Sequence, residues 1–106
     1  LNLHLAPELE EYIVNVVVAT RNPAAIDPGL EGQVLYGASP RASMGIDRAA
    51  RAYAWLAGRD YVGPEDIQAV APDILRHRLV LSFEAEADGI APDTVIKGIL
   101  DGVGVP

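Results

Sequence analysis

Gly37-Ala-Ser-Pro-Arg-Ala-Ser-Met-Gly-Ile-Asp-Arg-Ala-Ala-Arg-Ala-Tyr-Ala-Trp-Leu-Ala-Gly58 is the stretch on which the fold turns. It reads as one helix with both ends marked. Ser39 suits an N-cap, Pro40 a first helical position, and Gly58 a left-handed terminus. Ala42, Gly45, Ile46, Ala49, Tyr53 and Leu56 fall on one face at 100° per residue, and their small size admits a close neighbouring helix. Arg41, Met44, Arg48, Arg51 and Trp55 share the opposite arc. Three of the seven arginines thus lie in one stripe with the only tryptophan.

Upstream, Leu9, Tyr12, Ile13, Val16, Val17 and Thr20 recur at helical spacing from Pro7 to about Thr20, with Glu8, Glu10 and Glu11 crowding a first turn that favours negative charge. Residues 21–37 form a breaker-rich connection with Pro23, Pro28, Gly29, Gly32 and Gly37, longer than most. Gln33 to Tyr36 has room for one short strand. Downstream, Pro64 opens a third helix with Glu65 and Asp66 in its first turn. Ile67, Val70, Ala71, Ile74 and Leu75 carry its apolar stripe, and Pro72 predicts a kink or two consecutive short helices. Leu79 to Phe83 reads as extended, Glu84 to Gly89 as an acidic link, and Pro92 to Asp101 as a last helix with Val95, Ile96, Ile99 and Leu100 on one side. The expected fold is mostly α: a small bundle of about four to five helices in a single domain over 1–106, with residues 22–37 linker-like. Whether 33–36 and 79–83 pair as strands stays open.

Composition narrows the function. The 106 residues are 50% apolar, enough for a core and too many for a disordered tail. A net charge of −7 argues against a broad nucleic-acid surface. The absence of cysteine removes disulfides and thiolate chemistry. No apolar run is long enough to span a membrane and no signal peptide is visible, so a cytoplasmic setting is the default. The chain starts at Leu1, which suggests a piece of a longer protein. It has no GxxxxGK[ST] phosphate loop, no GxSxG elbow and no HExxH, and His4 and His77 lie far apart in sequence. No metal site and no catalysis by this chain alone are therefore expected.

The turn around Arg41 carries the chemistry. A cation near a helix N-terminus opposes the helix dipole, while free amides in that turn form an anion site. From local physics, an ordinary solvated arginine after a Ser-Pro cap and an arginine reaching for a phosphate both remain open. The Arg41/Arg48/Arg51/Trp55 stripe is equally a docking face or a solvated one, with Arg51 lying over Trp55.

Five pieces in order make a recognisable pattern: Tyr36-Gly-Ala-Ser-Pro-Arg-Ala-Ser43, Arg48-Ala-Ala-Arg-Ala-Tyr-Ala54, Gly58-Arg-Asp-Tyr-Val62, Pro64-Glu-Asp-Ile67 and Leu75-Arg-His-Arg-Leu-Val-Leu-Ser82. Together with Tyr12-Ile-Val14 and Ala19-Thr-Arg21, they resemble the C-terminal lid of MoxR-type AAA+ ATPases over about residues 7–103. Gly63 stands where a Ser or Thr cap is common, and Trp55 where a smaller aliphatic is usual. The resemblance implies that Arg41 is the arginine of the second sensor motif, contacting the γ-phosphate of ATP, with Ser39, Pro40 and Ala42 shaping the helix start. It implies a parent with ATP hydrolysis, ATP and Mg²⁺ held by a core domain outside this fragment, hexameric assembly, chaperone-like remodelling, and partners with von Willebrand factor A domains. Arg48, Arg51 and Trp55 then become interface residues toward the core or the next subunit. The alternatives are a free-standing helical interaction module using the Arg41/Arg48/Trp55 face, the lid of another AAA+ branch such as a magnesium-chelatase-type ATPase, and a helix-turn-helix DNA reader. Glu65 and Asp66, which would face phosphates, count against the last.

Overall fold

A computed structural model describes residues 4–26, 28–30 and 32–106. Its elements in order are α1 (Pro7–Arg21), β1 (Val34–Tyr36), α2 (Ala42–Leu56), α3 (Pro64–Arg76), β2 (Val80–Leu81), α4 (Phe83–Ala87) and α5 (Pro92–Gly102). The expected bundle is what forms, joined by a two-stranded antiparallel sheet that pairs Val34 with Leu81 and Tyr36 with Val80. That pairing, open from sequence, closes the loop after α1 onto the segment after α3. A parallel bridge between His4 and Tyr61 ties the start of the chain to the α2–α3 connection.

The core is one continuous cluster to which every α-helix contributes. The stripe predicted on α1 is buried in full, from Leu9 through Thr20. On α2 the buried residues are Ala42, Ile46, Ala50 and Ala54, each fully enclosed. The alanines of this i, i+4 row let α3 approach closely, and a Cβ added at Gly45 would already touch Ile74 at 3.8 Å. The face predicted for α2 is therefore rotated toward its Ala50 side. Tyr53 and Leu56 are exposed, because the row Ala42–Ile46–Ala50–Ala54 turns them outward at the end of the helix.

Four further expectations change. First, α2 begins at Ala42, with Arg41 in the N-cap position, and not at Ser39–Pro40. Ser39 and Pro40 start a tighter turn in which the Ala42, Ser43 and Met44 N–H groups donate to the carbonyls of Ser39, Pro40 and Arg41. Second, of the two outcomes that Pro72 predicts, the pair of short helices does not form: α3 is one helix from Pro64 to Arg76, since the loss of one amide is outweighed by burial of Ile67, Ala71 and Leu75 on either side. Third, Glu84 to Gly89 is mostly helix. The Ser82 hydroxyl accepts the Ala85 N–H at 3.1 Å and caps α4, so the extended segment ends at Leu81. Fourth, the 22–37 connection, expected as a linker-like loop, carries local structure. It contains short 3₁₀ turns at Pro23–Ala25 and Pro28–Leu30 before β1; positions 27 and 31 of it lie outside the described residues, as do Leu1, Asn2 and Leu3.

The end of α2 behaves as read. Gly58 adopts φ +83°, and its N–H donates to the Trp55 carbonyl (3.0 Å) while the Arg59 N–H donates to that of Ala54 (3.0 Å). This double closure satisfies the last carbonyls of the helix.

Candidate functional site

Arg41 sits where β1 has ended and α2 has not yet begun. Its backbone is already helical (φ −64°, ψ −21°), its side chain is exposed, and none of the described acids pairs with it. The first turn of α2 holds no acid and no side-chain cap. The Ala42, Ser43 and Met44 amides are engaged in the turn described above, so an anion at this helix end would meet the guanidinium and the Arg41 amide, which has no partner among the described residues. Ser39, Pro40 and Ala42 shape the turn: Ser39 and Pro40 carbonyls accept its hydrogen bonds, the Ser43 hydroxyl adds a second one to Pro40 O (2.7 Å), and Ala42 plugs it into the core.

What fixes the turn in space is α1. The Thr20 hydroxyl, fully buried, donates to the Val17 carbonyl (2.6 Å) and accepts the Ala38 N–H (2.9 Å). A Cβ at position 37 would lie 2.5 Å from the Thr20 carbonyl oxygen and 2.7 Å from Arg21 Cα. Only glycine fits that approach. The sequence marks Gly37 and Ala38 only as part of the segment around Arg41, without their supporting role, and Thr20 only as a hydroxyl on the apolar face of α1. Beside the turn, Val14, Val17, Val18, Arg21, Pro40 and Ser43 line a hollow of about 100 Å³ between α1 and α2.

The rest of the predicted stripe stays on one exposed side of α2. Met44, Asp47, Arg48 and Arg51 surround an open hollow of about 290 Å³, and Trp55 is exposed beyond it. Arg51 is held by an ion pair to Asp47 one turn earlier, the favourable acid-first order on a helix. Arg48 is exposed and makes no ion pair with a described acid. Among the described residues no group of three or more His, Asp or Glu side chains is arranged to hold a metal ion.

A second charged cluster serves the fold. Arg59 grips the buried Asp66 with both guanidinium nitrogens, at 2.6 and 2.5 Å, and the Gly63 N–H donates to Asp66 Oδ2 at 2.7 Å. Burial alone would raise the Asp66 carboxyl, but the Arg59 fork and the Gly63 N–H outweigh it and hold the group below the usual carboxylate range. The Asp66 carboxylate thereby makes the half of a capping box that reaches back to the Gly63 N–H, while the Asp66 N–H, which a cap side chain would take, donates to the Gly63 carbonyl at 3.1 Å.

The AAA lid domain family model matches residues 30–99, from just before β1 into α5. Chaperone MoxR1 of Mycobacterium tuberculosis is 50% identical over 99 residues, covering 92% of this chain and 26% of that protein. Protein MoxR of Paracoccus denitrificans is 38% identical over 96 residues, covering 84% and 28%. The crystal structure of a "putative ATPase" from Cytophaga hutchinsonii superposes with a TM-score of 0.94 at 44% identity, covering 99% of this chain and 32% of that one. This chain therefore spans about a quarter to a third of the proteins it resembles. No helix among its described residues is long and apolar enough to cross a membrane. The family-model match over most of the chain, with the MoxR relatives beside it, shows the family: this chain belongs to the AAA lid domain family and is a lid of the MoxR-like kind.

Proposed function

We propose that this lid closes over ATP bound to an α/β core outside the chain, and that Arg41 reaches the γ-phosphate. The observation that carries the reading is the exposed guanidinium, unpaired among the described residues, on a turn closed by backbone hydrogen bonds and clamped to α1. A cation held in place before the reaction stabilises charge developing on a transferred phosphoryl group without reorganising. Mg²⁺ and the phosphate loop belong to the core in this scheme. Hydrolysis would then release Arg41 and alter the angle between lid and core, turning nucleotide state into domain motion for chaperone-like remodelling in a hexameric assembly. Arg48, Arg51 and Trp55 face the core or the next subunit. Partners with von Willebrand factor A domains fit the same scheme.

The test is Arg41→Ala in the full-length protein. ATP turnover falls about 10²-fold, the order seen when one charge-stabilising donor is removed. Turnover at the wild-type rate refutes the reading. The isolated chain should bind ATP only in the high-micromolar range or worse, and sub-micromolar affinity by titration calorimetry would mean that the nucleotide site lies within the chain itself.

The exposed Met44/Arg48/Trp55 side of α2 also supports the second reading, an interaction module working without nucleotide. Under that reading Arg41→Ala and Arg48→Ala weaken partner capture alike and leave turnover unchanged.

A further inference from the structure

The turn presenting Arg41 is joined to α1 at one buried point. Of the buried polar side chains, Asp66 and Ser82 each complete a helix start close by in sequence. Thr20 differs: its hydroxyl binds an amide eighteen residues away, at Ala38, three positions before Arg41. Between them stand Ser39 and Pro40, and the proline ring fixes one of the few free dihedrals. On the far side the Ser39 and Pro40 carbonyls accept the Ala42 and Ser43 amides. The Arg41 backbone is thus fixed from both directions, while its side chain stays free in solvent.

We infer that Thr20 and Gly37 are positioning residues for Arg41. Gly37 lets the chain touch the end of α1, and the Thr20 hydroxyl pins Ala38 there, so that the position of the guanidinium is set by α1 and moves with it. The inference rests on Arg41 acting at a phosphate. Packing alone would be served by valine, which has nearly the shape of threonine. Valine, however, leaves the buried Ala38 N–H without an acceptor, and the turn must shift to find water. Displacing a charge-stabilising group by about 1 Å costs up to about 10²-fold in rate.

The test uses the full-length protein with Thr20→Val and Thr20→Ser, each alone and combined with Arg41→Ala. Turnover, KM for ATP and affinity for ADP, which lacks a γ-phosphate, are measured for all. Thr20→Val should lower kcat about tenfold and leave ADP affinity within twofold. Thr20→Ser, which keeps both hydrogen bonds, should restore kcat to within twofold of wild type. In the Arg41→Ala background Thr20→Val should have no further effect. An equal loss in both backgrounds overturns the inference, because Thr20 then acts through the fold at large. Normal turnover in Thr20→Val beside an impaired Arg41→Ala overturns it while sparing the sensing role. Normal turnover in Arg41→Ala fails the sensing role itself. Should Thr20→Val not fold, hydrogen exchange of the wild-type Ala38 amide decides: protection comparable to the α1 amides supports the pin, and exchange at the rate of an exposed turn overturns it.

Discussion

The N-terminal ends of α2 and α3 are built in opposite ways. At α3 the charges are paired, and one of them is buried. Pro64 takes the first position, Glu65 and Asp66 suit the helix dipole, Asp66 accepts the Gly63 N–H, and Arg59 closes over the buried carboxylate while lying 5.8 Å from the Tyr61 ring. At α2 the first turn has no acid, no side-chain cap, and a cation pointing outward. Its Ala42, Ser43 and Met44 amides are satisfied by backbone carbonyls, with the Ser43 hydroxyl donating to Pro40 O and the Thr20 hydroxyl holding the Ala38 N–H. The start of α3 holds the lid together; the start of α2 is held so that it can present something.

Exchanging the damage between these helix starts tests that contrast. Arg41→Ala should cost about 10²-fold in turnover of the full-length protein, yet shift the stability of this chain by no more than about 0.5 kcal/mol in urea unfolding. It removes a cation from a helix start where the dipole disfavours it, so a small gain is the expected direction. Asp66→Ala should do the reverse to the fold. It strands the Gly63 amide and leaves the partly buried Arg59 only the exposed Glu65 at 3.5 Å, costing about 2–4 kcal/mol. Arg59 keeps some access to water, so the loss falls short of a fully buried broken pair. If Arg41→Ala unfolds the lid, or Asp66→Ala is silent, the distinction between the helix starts is gone.

The start of α3 was legible in sequence down to its first residue, because Pro64 and the acids after it are local signals. The burial of Asp66 was not, since Arg59 reaches it from outside the helix. Arg41 stood out for the same local reason, a cation where the dipole disfavours one. Its support did not, because the Thr20–Ala38 bond crosses eighteen residues and leaves no periodicity behind. Ser39 misled: Ser-Pro is a strong capping signal, yet the docking of Ala38 on α1 imposes a tighter turn and delays α2 to Ala42. The α2 face was displaced for a similar reason. Alanines are equally at home buried or exposed, so the pattern could not say that Ala50 and Ala54 go inside in preference to Tyr53.

Acid sharpens the comparison further. The folded-state pKa of Asp66 lies below its ordinary value of about 3.9. Its stabilising contribution is therefore complete above that value and is lost as pH falls through the folded one. Stability measured from about pH 6 downward should drop more steeply in the wild type than in Asp66→Asn, with the two curves converging below about pH 4. Arg41→Ala should track the wild type. Parallel curves for wild type and Asp66→Asn would mean that the Arg59 fork contributes little.

The smallest expected effect lies along α2 from Arg41, at Arg48. Seven residues at about 1.5 Å rise place it roughly 10 Å away, too far to share one γ-phosphate. Arg48→Glu should leave this chain's own stability within about 0.5 kcal/mol, because the side chain is exposed and a glutamate there sits three residues before Arg51, a spacing that tolerates an ion pair. A lid that merely solvates Arg48 would show nothing more. A lid whose α2 face meets the core or a neighbouring subunit should show weaker assembly, by several-fold at low salt and less at high salt, with ATP affinity changed less than assembly. Sedimentation of the full-length variant with nucleotide, beside turnover and affinity, separates the two. An unchanged oligomer with unchanged turnover would confine the function of this helix to its first arginine.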